Sequence, residues 1–242
     1  MSGHSKWSQI KHKKALTDAK KGKIFNKLAR QLTVAVKQKS GDPEKNPSLR
    51  MFIDKARAFN MPLDNIERAI KRGLGEIEGV KIEEFLIEAY GPGGAALIIE
   101  GVTDNKNRTI SEIKFILSEH QGKLAESGSV VWLFERRGII DIGLSENTAG
   151  KDEIELLAIE AGVQDIKWMN EEDLELYTRP EELDEIKKYL EDKQIKISGA
   201  SFGWRPKNEI VAPNDKTTEQ AKKLFESLDE NDDINEIYSN CR

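Results

Sequence analysis

The sequence predicts a multidomain protein of α and α+β type: an N-terminal all-helical domain, then two ferredoxin-like α/β domains, one inserted into the other. Three observations predict it. Apolar residues recur at the helical period through the first third of the chain and switch to a period of 2 at Val80. Beyond that point the elements run β-β-α-β, then βαββαβ, then helix and strand, so a complete unit interrupts an incomplete one. Charge is divided too. Residues 1–75 hold 18 Lys and Arg against 6 Asp and Glu, a net of +12; as the whole chain is −5, the remaining residues carry −17.

In chain order, Ser8 caps an expected first helix running toward Asp18, preceded by a short arm with His4, Lys6 and Trp7. Trp7 reads either as a base-stacking side chain or as an anchor of the arm to the helical core. From Lys20 to Gln38, Phe25, Leu28, Leu32, Ala35 and Val36 fall in one arc, with Lys23, Lys27, Arg30 and Lys37 opposite. The loop GDPEKNP is a turn by composition, and a third helix starts at Ser48 with Leu49, Phe52, Ile53 and Ala56 inward, Arg50 and Arg57 outward. Pro62 restarts the chain as a fourth helix whose inner stripe is Leu63, Ile66 and Ile70, leaving Arg68, Lys71 and Arg72 outside. Residues 73–79 contain three glycines and read as a linker.

The stretches KIEEFLIEAY and AALIIEGVT are strands joined through YGPGG, a tight connection that needs positive φ. A helix follows over residues 107–119, with Thr109 and Glu112 as a capping box, and VVWLFE, residues 130–135, is the next strand. IIDI, a helix over 151–161, QDIKWM, LELYT, a helix over 181–193 and IKISGASFGW supply the βαββαβ unit. A helix over 217–227 and the strand INEIYS complete the interrupted one. The domains are therefore 1–75, basic and helical; 80–135 with 207–242, discontinuous α+β; and 136–206, inserted.

Composition narrows the function classes. The lone Cys241 leaves no internal disulfide framework and no cysteine zinc site. No apolar run approaches the roughly 20 residues of a membrane span, and no apolar leader is seen, so a cytoplasmic, soluble protein without membrane association is expected. YGPGG lacks the Lys and Ser or Thr of a nucleotide-binding P-loop. His4, His12 and His120 have no ligand spacing, and no nucleophile motif occurs, so neither enzyme nor cofactor is expected.

What remains is a polyanion grip. The candidate nucleic-acid-binding residues are Lys6, Lys11, Lys13, Lys14, Lys20, Lys23, Lys27, Arg30, Arg50, Arg57, Arg68, Lys71 and Arg72, since clustered cations supply the sequence-independent affinity for phosphate backbones. A second candidate is the loop TDNKNRT, where Asp104, Asn105, Asn107 and Arg108 open a helix. It reads either as an anion site or as a turn with a helix cap.

The segments GHSKWSQIKHKKA, DAKKGKIFNKLAR, NPSLR, NMPLDNIERAIKRG, YGPGG, TDNKNRT and GSVVWLFERRG resemble the signature segments of the YebC family, which includes bacterial proteins named probable transcriptional regulators. The mitochondrial translational activator of cytochrome c oxidase is similar. The resemblance is dense over residues 1–138 and implies three domains, a cytoplasmic location, and DNA binding or ribosome association. Two readings follow: a transcriptional regulator gripping DNA, or a ribosome-associated translation factor holding ribosomal RNA while its acidic α/β domains face the ribosome or other proteins.

Overall fold

The computed structural model describes residues 18–241, with side chains from residue 21 onward. The chain divides into two compact units, Met1–Phe134 with Pro206–Arg242, and Glu135–Arg205. No helix among the described residues is long and apolar enough to cross a membrane.

Among the described residues, three helices open the first unit: α1 (Asp18–Gln38), α2 (Pro47–Ala58) and α3 (Leu63–Leu74); the expected helix from Ser8 and the arm with Trp7 lie outside the described residues. Asn46 fixes the first turn. Its Oδ1 accepts the Leu49 N–H at 3.2 Å, while its Nδ2 donates to the Ala35 and Ser40 carbonyls at 2.8 and 2.7 Å. One buried amide thus caps α2 and ties it to the end of α1. Leu28, Leu32, Leu49, Ile53, Ala56 and Ile66 form the core. The predicted stripe of α3 holds at Ile66, which is buried, and at Ile70, which packs partly buried on the core; it is corrected at Leu63, which is 58% exposed, and Ala69 is buried as well. The seam runs through Ile66, Ala69 and Gly73 because a Cβ at Gly73 would stand 2.6 Å from the Cβ of Val36. Gly73 is therefore a close-packing residue inside the helix, and the chain leaves it at Gly75, which takes the left-handed cap (φ 79°).

After the helices come β1 (Glu83–Tyr90) and β2 (Ala96–Thr103), antiparallel from Glu83↔Thr103 to Tyr90↔Ala96. The YGPGG turn between them uses positive φ at Gly93 and Gly94. Then follow α4 (Lys106–Glu119) and the two-residue β3 (Lys123–Leu124). The expected strand over residues 130–135 is not formed at its start: Val131–Leu133 is a 3-10 turn. The cause is Glu88, a buried carboxylate on β1 that accepts the N–H groups of Gly128, Val130 and Val131 at 2.5, 2.5 and 2.7 Å. Burial pushes its carboxyl up, and the three donors more than offset that, leaving it below the ordinary range. Backbone groups that serve a carboxylate cannot serve a ladder.

The next strand, β4 (Phe134–Gly143), joins α5 (Lys151–Glu160), β5 (Asp165–Trp168), β6 (Asp173–Thr178), α6 (Leu183–Asp192) and β7 (Gly199–Pro206). This βαββαβ run makes a four-stranded sheet of order β5-β6-β4-β7, the ferredoxin-like arrangement. The chain then returns to the first unit as α7 (Asp215–Asp229) and β8 (Ile234–Ser239), closing a sheet of order β3-β1-β2-β8. The two α/β parts share a layered build and differ in strand order.

Candidate nucleic-acid interface

Helix α1 packs on two sides. Its apolar arc faces α2 and α3, and part of its cationic side meets the returning segment between α7 and β8. Lys23 Nζ donates to the Glu230 carbonyl at 3.3 Å and Lys27 Nζ to the Asp229 carbonyl at 2.8 Å. These carbonyls end α7, where the unpaired C=O groups concentrate negative charge. Lys27 is 6% exposed, and burial lowers its pKa despite the raising influence of Asp229, Glu236 and Asp232. Arg30 ion-pairs with Asp233, and its Nη1 also donates to the Val102 carbonyl at 3.2 Å. The expectation that Lys27 and Arg30 face outward is thus corrected, while Lys23 is exposed as expected even as it reaches the Glu230 carbonyl. Helical phase marks an apolar face, whereas a face packed through charge looks solvated in sequence.

Asp233 gathers this junction. Its Oδ2 accepts from Arg108 Nη2 and Thr109 Oγ1, both at 2.6 Å, and from Thr103 Oγ1 at 3.1 Å. Burial raises its pKa, but hydrogen bonds from Thr109, Arg108 and Arg30 outweigh it and bring the group to about 2. The predicted capping box gives way here. Asn105 caps α4 by accepting the Arg108 N–H at 3.1 Å, and Thr109 lies inside the helix with its hydroxyl turned to Asp233. Of the loop candidates, Asp104 pairs with Arg108 at 2.8 Å and Asn107 is exposed. The loop is a turn and cap whose arginine is held by its own Asp104 and by Asp233.

The other candidates divide clearly. Arg57, Arg68 and Lys71 are exposed on α2 and α3 with no hydrogen bond or ion pair among the described residues. Arg50 is half-buried, 3.9 Å from Glu44. Arg72 is half-buried as well. Lys6, Lys11, Lys13 and Lys14 lie outside the described residues, and so does the side chain of Lys20.

The fold also assembles a cleft of about 290 Å³ at the meeting of α1, α3, the segment after α3 and the β2–α4 loop. Arg30 and Arg72 line it together with Asp104, Thr33 and Val80. The sequence places Arg30 and Arg72 on separate helices and Asp104 in a separate loop, with nothing to join them. It gives no role to Asp233, nor to Lys55, which pairs with Glu236 at 2.9 Å. The only hint is the acid pair Asp232–Asp233 ahead of the last strand.

Comparison with known proteins covers nearly the whole chain. Residues 5–76 match the TACO1/YebC protein N-terminal domain, and residues 82–241 match the TACO1/YebC second and third domain. A probable transcriptional regulatory protein of Halothermothrix orenii is 49% identical over 241 residues, covering 99% of this chain and 94% of that protein. One of the same name from Thermosipho africanus is 48% identical, with 99% and 93% covered. The crystal structure of a conserved hypothetical protein from Aquifex aeolicus superposes with a TM-score of 0.90 at 42% identity, covering 98% of this chain and 96% of that one.

Proposed function

Since the chain belongs to the TACO1/YebC family, we propose that it is a nucleic-acid-binding regulator of gene expression, holding DNA by its phosphates through the basic N-terminal helices. Its relatives carry the name probable transcriptional regulatory protein, which supports a regulatory role. The observation that carries the binding step is the set Arg57, Arg68 and Lys71: exposed cations without a partner among the described residues, in a segment of net +12. Unneutralised cations gain most from a phosphate strand, whose condensed counterions they replace. Lys27 and Arg30 are withdrawn from this role, because they already serve the chain's own carbonyls and Asp233. The proposal assigns no catalytic step, and no membrane or cofactor takes part in it.

A second reading is favoured by the −17 carried by the rest of the chain. A duplex lying along both halves would be repelled by the acidic one. Ribosomal RNA, flanked by ribosomal proteins, would not require contact with both, and the acidic α/β parts would then face protein. Crosslinking in cells followed by sequencing of the bound nucleic acid separates the readings. Promoter fragments support the regulator of transcription, ribosomal RNA the translation factor, and recovery of neither overturns both.

A further inference from the structure

Among the described residues, Arg72 is the one guanidinium of the cleft without a counter-ion. Arg30 commits Nη1 to Asp233 and to the Val102 carbonyl, and Asp104 is engaged by Arg108 at 2.8 Å. The side chain of Arg72 makes no hydrogen bond or ion pair among the described residues, and its Nε–H is shut off from solvent without an acceptor. A shielded donor with no partner is rare in native proteins and marks a missing acceptor.

The stem of Arg72 lies along bare backbone. Gly79 lies flat against its stem: a Cβ there would stand 2.7 Å from Cδ and 3.1 Å from Nε. The absence of a side chain at Gly79 leaves room for the stem to run along the cleft wall, and a Cβ there would push it aside. The cleft therefore sets two arginines around one space, and the one carboxylate among its lining residues is already taken. The single hydroxyl proton of Thr33 is shared between the Ala29 and Ala69 carbonyls at 2.8 and 3.1 Å, so it adds no donor. Such a space rejects a cation and suits a tetrahedral oxyanion that can accept from a planar fork.

We propose that the cleft is a phosphate-binding site, with Arg72 as its principal ligand and the uncommitted nitrogens of Arg30 as the second. The phosphate belongs either to a nucleic-acid strand or to a small phosphate compound. The strand case rests on the function proposed above; the small-molecule case does not. Val80, beside the arginines, offers an apolar wall to whatever carries the phosphate.

Calorimetric titration of the full chain tests this with three probes: inorganic phosphate, a single-stranded oligonucleotide bearing a 5′-phosphate, and the same oligonucleotide without it. Binding of phosphate, or a tenfold preference for the phosphorylated strand, is expected. Arg72→Gln should abolish that binding or preference, and Gly79→Ala, which displaces the Arg72 stem, should weaken it by a similar factor. Because Arg72 has no partner among the described residues, the variants should keep the wild-type circular dichroism and melting temperature. If phosphate binds through Arg72 while no strand binds, the cleft stands as a small-anion site and the nucleic-acid function falls. If strands bind equally well with or without the end phosphate, inorganic phosphate does not bind and Arg72→Gln changes nothing, the cleft proposal is overturned while the function stands.

Discussion

Lys27 and Arg68 carry the same charge in the same small helical domain and have opposite surroundings. Lys27 is buried against the last carbonyls of α7, whereas Arg68 stands on the exposed side of α3 with no described residue to neutralise it. The difference comes from a segment about two hundred residues further along the chain, which returns to place Asp229, Glu230 and Asp233 beside α1. Cationic side chains thus do two things in one protein: Lys27 and Arg30 of α1 with Lys55 of α2 clamp the returning segment, while Arg57, Arg68 and Lys71 stand open on α2 and α3. A count of charges does not separate them, because the partner of a cation is set by tertiary structure.

The comparison can be broken most forcefully at Asp233. Replacing it with Ala strands Arg30 and removes the acceptor that Arg108, Thr103 and Thr109 share, so chemical denaturation should report a loss of about 3–5 kcal/mol, the usual cost of removing one partner of a buried pair. A loss below about 1 kcal/mol would mean that the junction is incidental.

Acid probes the same group without mutation. The folded carboxyl lies at about 2 against an ordinary 3.8, so its contribution is complete above the ordinary value and is lost as the pH falls from there toward the folded one. The depression corresponds to at most about 2 kcal/mol, since solvent at the rim of the junction screens part of it. The stability difference between the wild type and Asp233→Asn should shrink over that window, and a difference that stays constant with pH would refute the assignment.

A smaller effect sharpens the contrast. Lys27→Met keeps the length of the stem and removes a buried charge, an exchange that is often neutral or stabilising. Its unfolding free energy should stay within about 1 kcal/mol of the wild type, since the desolvation relieved offsets the hydrogen bond to the Asp229 carbonyl that is given up. Smallest of all should be the effect on stability of the triple exchange Arg57→Gln, Arg68→Gln, Lys71→Gln. It should leave the melting temperature within a degree or two, as expected for surface sites away from packing.

Much of the architecture is legible in the sequence. The change of period at Val80 marks the passage from helices to sheets, and the glycines of YGPGG appear at the positive φ values that the turn requires. The run from β4 to β7 follows the order of predicted elements. The departures fall where a side chain overrides a local pattern. Val130 and Val131 have strand composition, yet their N–H groups go to Glu88, which lies 42 positions from Val130. Leu63 fits a helical stripe, but the close approach at Gly73 turns the seam toward Ala69. The candidate interface is legible as a charge total and illegible as a surface, since the acid pair Asp232–Asp233 does not say which cation it will receive. The cleft is hidden for the same reason: Arg30, Arg72 and Asp104 belong to three elements that only the fold brings together.

The division between clamp and surface is tested most directly by the salt dependence of nucleic-acid binding. The slope of log K against log salt should be measured on the full chain, on Lys27→Met and on the Arg57, Arg68, Lys71 triple variant. Each phosphate contact contributes about 0.7–0.9 to that slope, so the triple variant should lose about 2 and Lys27→Met should match the wild type. A slope that falls for Lys27→Met and stays unchanged for the triple variant would contradict the account.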